Sequence, residues 1–393
     1  MTGNNKANLT VLHLTPFFSP NIGGVETYLS DLTNLLAQNS INNLVLTYSP
    51  ITSNFTAPFK VSSSNLSIIR LPHFGHNLFH RLEAHPLLNF LYLTPYLGFS
   101  TLIYLLLNSK KINIIHAHGL NSAVIGLIAK LIFNKPLLVN LYSNYDNVPF
   151  NSFFYKLIRF TLNHCDLVLT QSRLSISQLE NIGIKKTILG TYQHWIDLTT
   201  FKPTSHKHLL RVKQKLNPTA TTFLFVGRLI PTKGALILAK IATHFPQAQF
   251  LFVGSGPQYF QISKIAKKYN HIHLFPNVAY SKLSKYYQLA DYFLFPSLYS
   301  EGWGRVAMEA VASGLPVIGS NLGAITENLN SNVSVLFKPT AVNFKKIINS
   351  VLTNPKKFQK LKQNCRPYAL AHFSSRNSSG IIATYQHLLH PLV

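Results

Sequence analysis

The hydrophobic residues of this chain occur in two kinds of segment, short apolar runs and stretches with helical spacing. Leu9–Thr15 is a short, mainly apolar run that ends at Pro16, and it predicts a buried parallel strand. In Val25–Ala37 the apolar residues recur every three or four positions, which predicts a helix with one buried face. Gly23 and Gly24 lie between these segments, so the chain opens as strand, glycine loop and helix.

The same alternation continues and then restarts in the second half of the chain. The further predicted strands are Ile114–Ala117, Leu137–Leu141, Leu167–Thr170, Thr222–Val226, Gln249–Val253 and Tyr292–Phe295, and helices such as Ser122–Phe133 and Phe153–Asn163 separate them. Strands that alternate with helices form parallel, doubly wound sheets. The pattern therefore predicts an α/β protein of two Rossmann-like domains that face each other across a cleft. The carboxyl ends of the strands would bind ligands there.

The chain length and the linker also favour two domains. A chain of 393 residues exceeds what a single hydrophobic core usually supports. Ile196–Pro203 and the polar, basic stretch Thr204–Lys215 separate the two patterns, so we predict a hinge near Pro203. Residues 1–203 would then form the first domain and residues 204–376 the second.

Residues 87–107 are mostly apolar and carry no charge, and the segment is long enough to span a membrane. Asn89, Pro95, Gly98 and Ser100 interrupt it, and a predicted strand follows after a short turn. This arrangement favours a buried or interface-lying helix over a membrane span.

Composition narrows the class of protein. Hydrophobic residues make up 47% of the chain and charged residues 12%, which favours a globular enzyme. The net charge is +25, divided as +7 up to Pro203 and +18 after it, so the second half is the expected anion binder. Cys165 and Cys365 lack metal-ligand spacing and fit a reducing cytosol. The polar start of the chain does not resemble a signal peptide, so we do not expect secretion.

Carboxylates are scarce after Pro203, and three of the four that occur there lie in one stretch, as Glu301, Glu309 and Glu327. The candidate donor-binding residues around them are Gly302, Trp303, Gly304 and Arg305, where a glycine loop leads into a predicted helix. Such a loop presents backbone N–H groups and a helix dipole to a pyrophosphate. Glu301 could accept hydrogen bonds from a sugar hydroxyl and Glu309 from ribose hydroxyls. The alternative is that both glutamates are surface or cap residues.

Candidate cations follow the strand Thr222–Val226, where Gly227 and Arg228 precede Lys233 and a glycine. Cations aimed at a departing diphosphate stabilise its growing charge without a metal. Gly254 and Gly256 after the next strand are candidates for lining the nucleotide, although a tight turn explains them equally well. Gly23 and Gly24 could let the backbone approach a phosphate closely.

His116 and His118 form a His-x-His pair at the carboxyl end of the strand Ile114–Ala117. A metal site is the less favoured interpretation, because no neighbouring Asp, Glu or Cys completes it. We expect His118 to make a polar contact to the transferred sugar, and a buried structural histidine is the alternative.

Taken in order, these glycine, histidine, cation and glutamate motifs resemble the retaining GT-B glycosyltransferases of family four over nearly the whole chain. The Glu-Gly-Trp-Gly window beginning at Glu301, followed by Ala312–Ile318, carries most of the resemblance. The resemblance implies a UDP-, GDP- or similar sugar-nucleotide donor in the second domain, an acceptor mainly in the first, and no metal or other cofactor. It also implies front-face transfer, in which the departing phosphate takes the acceptor proton.

The resemblance also implies a role for each site residue. Arg228 and Lys233 would hold the diphosphate, Glu309 the ribose, Glu301 the donor sugar, and His118 would approach the anomeric carbon. The chain departs from the family pattern at Gly323-Ala324, where two glycines are common, and at His194-Trp195, where Asn-Gly is common. Residues 377–393, which contain the predicted helix Ile381–Leu389, resemble the helix that returns to the first domain.

Three alternatives stay open. The charge of +25 could serve a nucleic-acid or polyanion binder, but the basic residues are scattered and no nucleic-acid motif occurs, so no nucleic-acid partner is expected. A GT-B sugar-nucleotide epimerase and an inactive scaffold are the others. The expected partners are the donor, a glycan, lipid-linked or small-molecule acceptor, and an anionic membrane surface. The expected location is the cytoplasm, with peripheral attachment to the inner membrane face. The sequence leaves the oligomeric state open.

Overall fold

The computed structural model describes residues 9–21, 23–52, 55–75, 78–82, 85–143, 145, 148–276 and 278–390. It divides into two compact units, unit 1 (Met1–Gln193 with Ser378–Val393) and unit 2 (His194–Asn377). The predicted boundary at Pro203 lies later in the chain than this division. The contacts divide the chain earlier because Ile196 and Phe201 pack into the hydrophobic core of unit 2.

Strands and helices alternate along the chain. The strands are β1 Thr10–Leu14, β2 Asn42–Tyr48, β3 Lys60–Ser63, β4 Leu66–Leu71, β5 Ile114–His118, β6 Leu137–Asn140, β7 Leu167–Thr170, β8 Leu189–Thr191, β9 Thr222–Val226, β10 Gln249–Val253, β11 Ile272–Phe275, β12 Tyr292–Phe295, β13 Val317–Ser320 and β14 Ser334–Phe337. The helices are α1 Gly24–Gln38, α2 Leu78–Leu82, α3 Pro86–Asn108, α4 Leu120–Phe133, α5 Phe153–Asn163, α6 Arg173–Ile182, α7 Lys207–Lys213, α8 Ala235–Ala242, α9 Tyr259–Lys268, α10 Tyr280–Leu289, α11 Arg305–Ala312, α12 Ile325–Asn328, α13 Ala341–Thr353, α14 Gln359–His372 and α15 Ser379–Leu389.

Unit 1 contains an eight-stranded sheet in the order β3-β4-β2-β1-β5-β6-β7-β8. Its neighbouring strands are parallel, as predicted, except that β3 runs antiparallel to β4. The sequence pattern missed this hairpin, because all four residues of β3 are exposed and leave no apolar periodicity. A short, polar edge strand of this kind discourages pairing with another chain.

Unit 2 contains a six-stranded sheet in the order β11-β10-β9-β12-β13-β14, and all its pairings are parallel. The strand order reverses between β9 and β12, just as it reverses between β1 and β5 in unit 1. In doubly wound sheets the loops at the carboxyl ends separate at such a reversal and leave a crevice that binds ligands. Each unit therefore offers one topologically favoured place for a site.

Helix α3 covers one face of the sheet of unit 1. Leu93, Leu97 and Leu105 are buried in the core. The Tyr48 hydroxyl from β2 donates to the carbonyl of Leu93 at 2.9 Å and accepts from the N–H of Leu97 at 3.1 Å, at the turn that contains Pro95. Among the described residues, Pro86–Lys111 is the one helical segment long and apolar enough to cross a membrane. Its inner side is nevertheless part of the protein core.

Candidate functional site

The loops at the strand reversal of unit 2 bring Lys233 and Glu301 together. Lys233 ends a short 3-10 turn after β9, and Glu301 lies in the loop after β12. The Lys233 ammonium donates to Oε1 of Glu301 at 2.5 Å. Ser297 donates to the same oxygen at 2.7 Å, and the Tyr299 hydroxyl donates to Oε2 at 3.1 Å. Glu301 is 7% exposed, and its carboxylate accepts hydrogen bonds from one cation and two hydroxyl groups in the loop after the central strand β12.

Gly234 allows these two loops to approach each other. Its φ of 71° is left-handed, and a Cβ at this position would lie 2.1 Å from the carbonyl oxygen of Pro296. The neighbouring backbone is joined by a hydrogen bond of 2.8 Å from the N–H of Leu298 to the carbonyl of Thr232. A side chain at residue 234 would push the lysine loop away from the glutamate loop.

The backbone of Glu301 is supported by the Gly323-Ala324 pair. Gly323 forms a parallel bridge with Glu301, and a Cβ there would lie 2.3 Å from the Glu301 carbonyl oxygen. Ala324 donates its N–H to the same oxygen at 2.8 Å and has ordinary right-handed backbone angles. The alanine is therefore compatible with this turn, and only the first position needs glycine. Glu327 follows on the exposed side of α12.

Glu309 lies inside unit 2 and is 2% exposed. Its Oε2 accepts from the Tyr287 hydroxyl at 2.8 Å, and its Oε1 lies 3.3 Å from Nε of Arg305, one turn earlier in α11. Burial, followed by the negative charge of Glu309, raises the pKa of Tyr287 well above its usual value. Arg305 also donates to the Tyr280 hydroxyl at 2.8 Å. The carboxylate proposed for the ribose is thus bonded to its own domain.

The glycines before α11 form the bend that starts this helix. Gly304 is its N-cap with φ 64°, and a Cβ there would lie 2.6 Å from Ile325. Gly302 precedes Trp303, whose ring packs on His194 with centroids 4.8 Å apart and whose carbonyl accepts from Asn328 at 3.3 Å. Gly304 therefore supplies the left-handed backbone at which α11 begins.

Close packing of the loops after β9 and β10 requires glycine at Gly254 and Gly256, whereas a Cβ on Gly227 would meet only the Phe225 ring, at 3.3 Å. A Cβ on Gly254 would lie 1.9 Å from the Gly227 carbonyl oxygen, and one on Gly256 would lie 2.7 Å from that of Leu229. Backbone hydrogen bonding between the loops, from the Leu229 N–H to Ser255 at 2.8 Å, accounts for the tight turn. Of the two predicted cations, Arg228 lies exposed on this pair of loops. Lys233 is the one that donates a hydrogen bond to Glu301.

The strand reversal of unit 1 holds a cluster of buried histidines. His13 on β1 is the register partner of His116 on β5, and His118 lies two residues further along. Nδ1 of His13 lies 3.1 Å from Nε2 of His118, and Nε2 of His13 lies 3.0 Å from Oδ1 of Asn43. Two further ring nitrogens are hydrogen-bonded to tyrosine hydroxyls. Nδ1 of His118 lies 2.7 Å from the Tyr142 hydroxyl, and Nδ1 of His116 lies 2.7 Å from the Tyr385 hydroxyl.

The hydrogen bonds fix the protonation pattern of this cluster. Asn43 donates its amide N–H groups to backbone carbonyls, among them Ile41 at 2.7 Å, so its oxygen must accept from Nε2 of His13. Nδ1 of His13 must then accept from Nε2 of His118, whose Nδ1 accepts from the Tyr142 hydroxyl. Burial lowers the pKa of His13 to about 4, and it lowers the pKa of His116 and of His118 well below the usual value. All three imidazoles are therefore neutral at pH 7.

Both ring nitrogens of His118 are thus bonded within unit 1, and the residue is 3% exposed. One nitrogen from each of His13, His116 and His118 lies within 4.8 Å of the others, so three imidazoles could together hold a metal ion. The His-x-His spacing indicates only His116 and His118, and it gives no sign of His13. The adjacency of β1 and β5 in a Rossmann sheet is the signal that would have found it.

Gly23 and Gly24 differ in their surroundings. Gly23 has extended backbone with φ 179°, and a Cβ there would lie 2.2 Å from the carboxylate of Glu26. Gly24 begins α1, and no described atom lies within 4 Å of a Cβ built on it. Packing among the described residues therefore gives no reason for a glycine at residue 24, and the predicted approach of a phosphate there stays a prediction.

Comparison with known proteins identifies both units. The chain matches the family model "Glycosyltransferase Family 4" over residues 22–199 and "Glycosyl transferases group 1" over residues 207–368. It is 22% identical over 342 residues to the phosphatidylinositol N-acetylglucosaminyltransferase GPI3 subunit of Saccharomyces cerevisiae, a match that covers 84% of this chain and 72% of that protein. It is 26% identical over 246 residues to the sulfoquinovosyl transferase SQD2 of Arabidopsis thaliana, covering 58% of this chain and 47% of that one.

Two solved structures share the fold. Sucrose-phosphate synthase from Thermosynechococcus elongatus aligns with a TM-score of 0.79 at 22% identity, covering 97% of this chain and 99% of that one. HepE of Anabaena in complex with UDP and glucose aligns with a TM-score of 0.75 at 18% identity, covering 96% and 99%. The two family models span most of the chain, and both parallel-sheet domains have counterparts in these enzymes; the chain belongs to the group 1 glycosyltransferases of the GT-B fold.

Proposed function

We propose that this glycosyltransferase moves a sugar, with retention of configuration, from a nucleoside-diphosphate sugar to a glycan, lipid-linked or small-molecule acceptor. The observation that carries the proposal is the contact of Lys233 with Glu301 at the strand reversal of unit 2. A fixed cation beside a carboxylate suits a donor that is anionic at its diphosphate and rich in hydroxyls at its sugar.

Donor binding would divide this ion pair between the two ends of the ligand. The Lys233 ammonium would turn to the diphosphate and stabilise the charge that develops as the glycosidic bond breaks. Glu301 would accept hydrogen bonds from the sugar, while Ser297 and Tyr299 keep its carboxylate in place. Arg228 is exposed and would supply the second cation. The complex of HepE with UDP and glucose is consistent with this class of donor.

The ribose would be bound by Glu309, with Tyr287 or Arg305 giving up one hydrogen bond to the carboxylate. Retention by front-face attack is supported by the state of the two site carboxylates. With donor bound, Glu301 would be engaged by the sugar hydroxyls and held by Ser297 and Tyr299, and Glu309 is 2% exposed, so neither is placed as a free general base. The departing phosphate would take the acceptor proton. Fixed cations would do the work of a divalent metal, so the reaction would be metal-independent.

The neutral cluster of unit 1 would face uncharged groups of the transferred sugar or the acceptor. His118 would contact the sugar only after releasing His13 or Tyr142, because both of its ring nitrogens are bonded. The enzyme would act in the cytoplasm, attached peripherally to the inner face of the membrane. The charge of +25 and the apolar helix α3 support this location.

Release of nucleoside diphosphate from a panel of UDP-, GDP- and ADP-sugars by the purified protein tests the proposal. We expect turnover of one donor class, and Lys233→Ala should lower kcat by about a hundredfold to a thousandfold. Lys240→Ala, an exposed lysine on α8, is the matched control and should turn over normally. Normal turnover by Lys233→Ala would refute the site, and conversion of the donor without loss of its nucleotide would favour an epimerase.

A further inference from the structure

Helix α3 exposes a continuous apolar stripe on the side that faces away from the core. Leu88, Leu91, Phe99, Ile103 and Leu106 recur at helical spacing and are 51%, 53%, 64%, 43% and 69% exposed. The stripe is roughly 27 Å long at about 1.5 Å per residue. Apolar surface of this length and continuity is unusual on a soluble protein and marks an interaction site.

The neighbouring helices extend the stripe into a face. Helix α4 packs beside α3 and exposes Ile128, Leu131 and Ile132. Helix α5 joins the same layer through Phe154, whose ring lies 6.0 Å from that of Phe90 on α3, and it exposes Phe153 and Phe160. We call the exposed residues of α3, α4 and α5 the apolar face.

Basic residues border the apolar face. Lys110 and Lys111 follow the end of α3, and Lys156 and Arg159 lie among the exposed phenylalanines of α5; all four are exposed. The sequence from residue 85 to residue 145 contains no Asp or Glu. Apolar and aromatic side chains among Lys and Arg are the composition of a surface that rests in the headgroup region of an anionic bilayer.

The anchoring of α3 shows that it would lie on a bilayer and not cross it. Its inner side is buried against the sheet, and the Tyr48 hydroxyl bonds the backbone of Leu93 and Leu97. Asn121 on α4 donates to the side chain of Thr94 at 2.9 Å. A spanning orientation would break these contacts and expose the core of unit 1, whereas a parallel orientation buries only what is already exposed.

We propose that the apolar face binds the surface of a membrane that contains anionic lipid. This proposal rests on the peripheral membrane location given under the proposed function, and it identifies the surface that makes the contact. A second copy of the chain fits less well, because a symmetric dimer would bring the basic borders of two such faces together. Unit 2 carries more net charge, but exposed apolar residues such as Leu209 and Val342 are on separate helices there. The combination of apolar centre and basic border belongs to unit 1.

Flotation with phosphatidylcholine vesicles, with and without phosphatidylglycerol, tests the proposal in the absence of donor. We expect binding to the anionic vesicles. Phe99→Ser with Leu106→Ser should weaken it by at least about tenfold, and Lys110→Ala with Lys111→Ala should weaken it by about tenfold only when phosphatidylglycerol is present. The matched controls in unit 2, Leu209→Ser with Val342→Ser and Lys356→Ala with Lys357→Ala, should bind as the wild type does.

Unchanged flotation of the Phe99→Ser, Leu106→Ser protein, or equal losses in the unit 2 controls, would overturn the assignment. So would a concentration-dependent dimer in sedimentation velocity that this variant dissociates, if the wild type fails to float. Donor turnover measured without vesicles is an independent readout, since these surface substitutions should leave it and the melting temperature unchanged. Failure of the membrane proposal is therefore distinguishable from failure of the catalytic one.

Discussion

The two strand reversals of this protein occupy equivalent positions in two Rossmann-like sheets, yet their side chains differ in kind. The reversal of unit 2 holds Lys233 and Glu301, a charged pair in the loops that follow the central strands β9 and β12. The reversal of unit 1 holds His13, His116 and His118, which are uncharged and fully buried among hydroxyl and amide groups. The fold provides the position, and the side chains decide whether that position suits an anion or a neutral group.

The contrast indicates a division of labour between the units. Under the proposed function, Lys233 would supply the fixed positive charge that a diphosphate needs, and Glu301 would balance that charge in the absence of the ligand. The hydrogen-bonded, neutral imidazoles of unit 1 can bond hydroxyl groups in fixed directions without adding charge to the site. The net charge of +25 therefore does not extend to the described histidine cluster at the strand reversal of unit 1, where His13, His116 and His118 are neutral.

The largest effect should come from removing the buried carboxylate of unit 2. Glu309→Ala leaves Arg305, whose side chain is 9% exposed, without this ion-pair partner, and we expect a loss of about 3–5 kcal/mol in the free energy of unfolding. Urea unfolding measures it. Lys130→Ala breaks an exposed pair with Asp166 and should cost at most about 1 kcal/mol. Equal losses in the two variants would contradict the buried ion pair of Glu309 with Arg305.

Separating the two loops of unit 2 should have the next largest effect. Gly234→Ala requires left-handed backbone and a shift of the Pro296 carbonyl, so we expect a cost of up to about 3 kcal/mol together with reduced donor turnover. Gly24→Ala meets no described atom and should change stability by less than about 1 kcal/mol. A loss of turnover in Gly24→Ala at unchanged stability would support the predicted phosphate approach there.

Acid should distinguish the neutral site from the charged one. Because burial lowers the pKa of His13 to about 4 from 6.5, the unfolded chain binds a proton that the folded one excludes. The stability that neutral His13 contributes to the folded state is complete above pH 6.5 and is lost as the pH falls towards 4. For this residue alone, roughly 2 kcal/mol of unfolding free energy is lost between about pH 7 and pH 5. Urea midpoints across this range should fall less steeply for His13→Asn than for the exposed control His387→Ala. Identical slopes would contradict the buried, neutral state of His13.

Metal removal should have the smallest effect. If fixed cations replace a divalent metal, dialysis against EDTA should leave donor turnover within about twofold of the untreated enzyme. The melting temperature is the second readout, because His13, His116 and His118 could hold an ion. A fall in melting temperature that zinc restores, and that His13→Asn abolishes, would replace the hydrogen-bonded description of this cluster by a metal-bound one.

The sequence by itself determined the alternation of strands and helices and singled out Glu301 and Lys233 as candidate charged residues. Local periodicity predicted the elements, since β9, β10, β12 and α5 occur over the predicted residues. The scarcity of carboxylates, and not periodicity, singled out Glu301. The exposed strand β3 escaped because it has no apolar periodicity. The burial of Glu309 could not be predicted from the sequence, because a glutamate in a helical segment does not indicate which face of the helix is covered.

Only the tertiary structure decided which residues meet. Lys233 and Glu301 are 68 residues apart and His13 and His118 are 105 apart, and such pairs depend on strand order and on the glycines that let backbones approach. It also decided which side of α3 is covered, because a helix that is apolar all round has no periodicity to reveal its buried side. Periodicity is a local property of a chain, whereas partnership and exposure arise from contacts between distant segments.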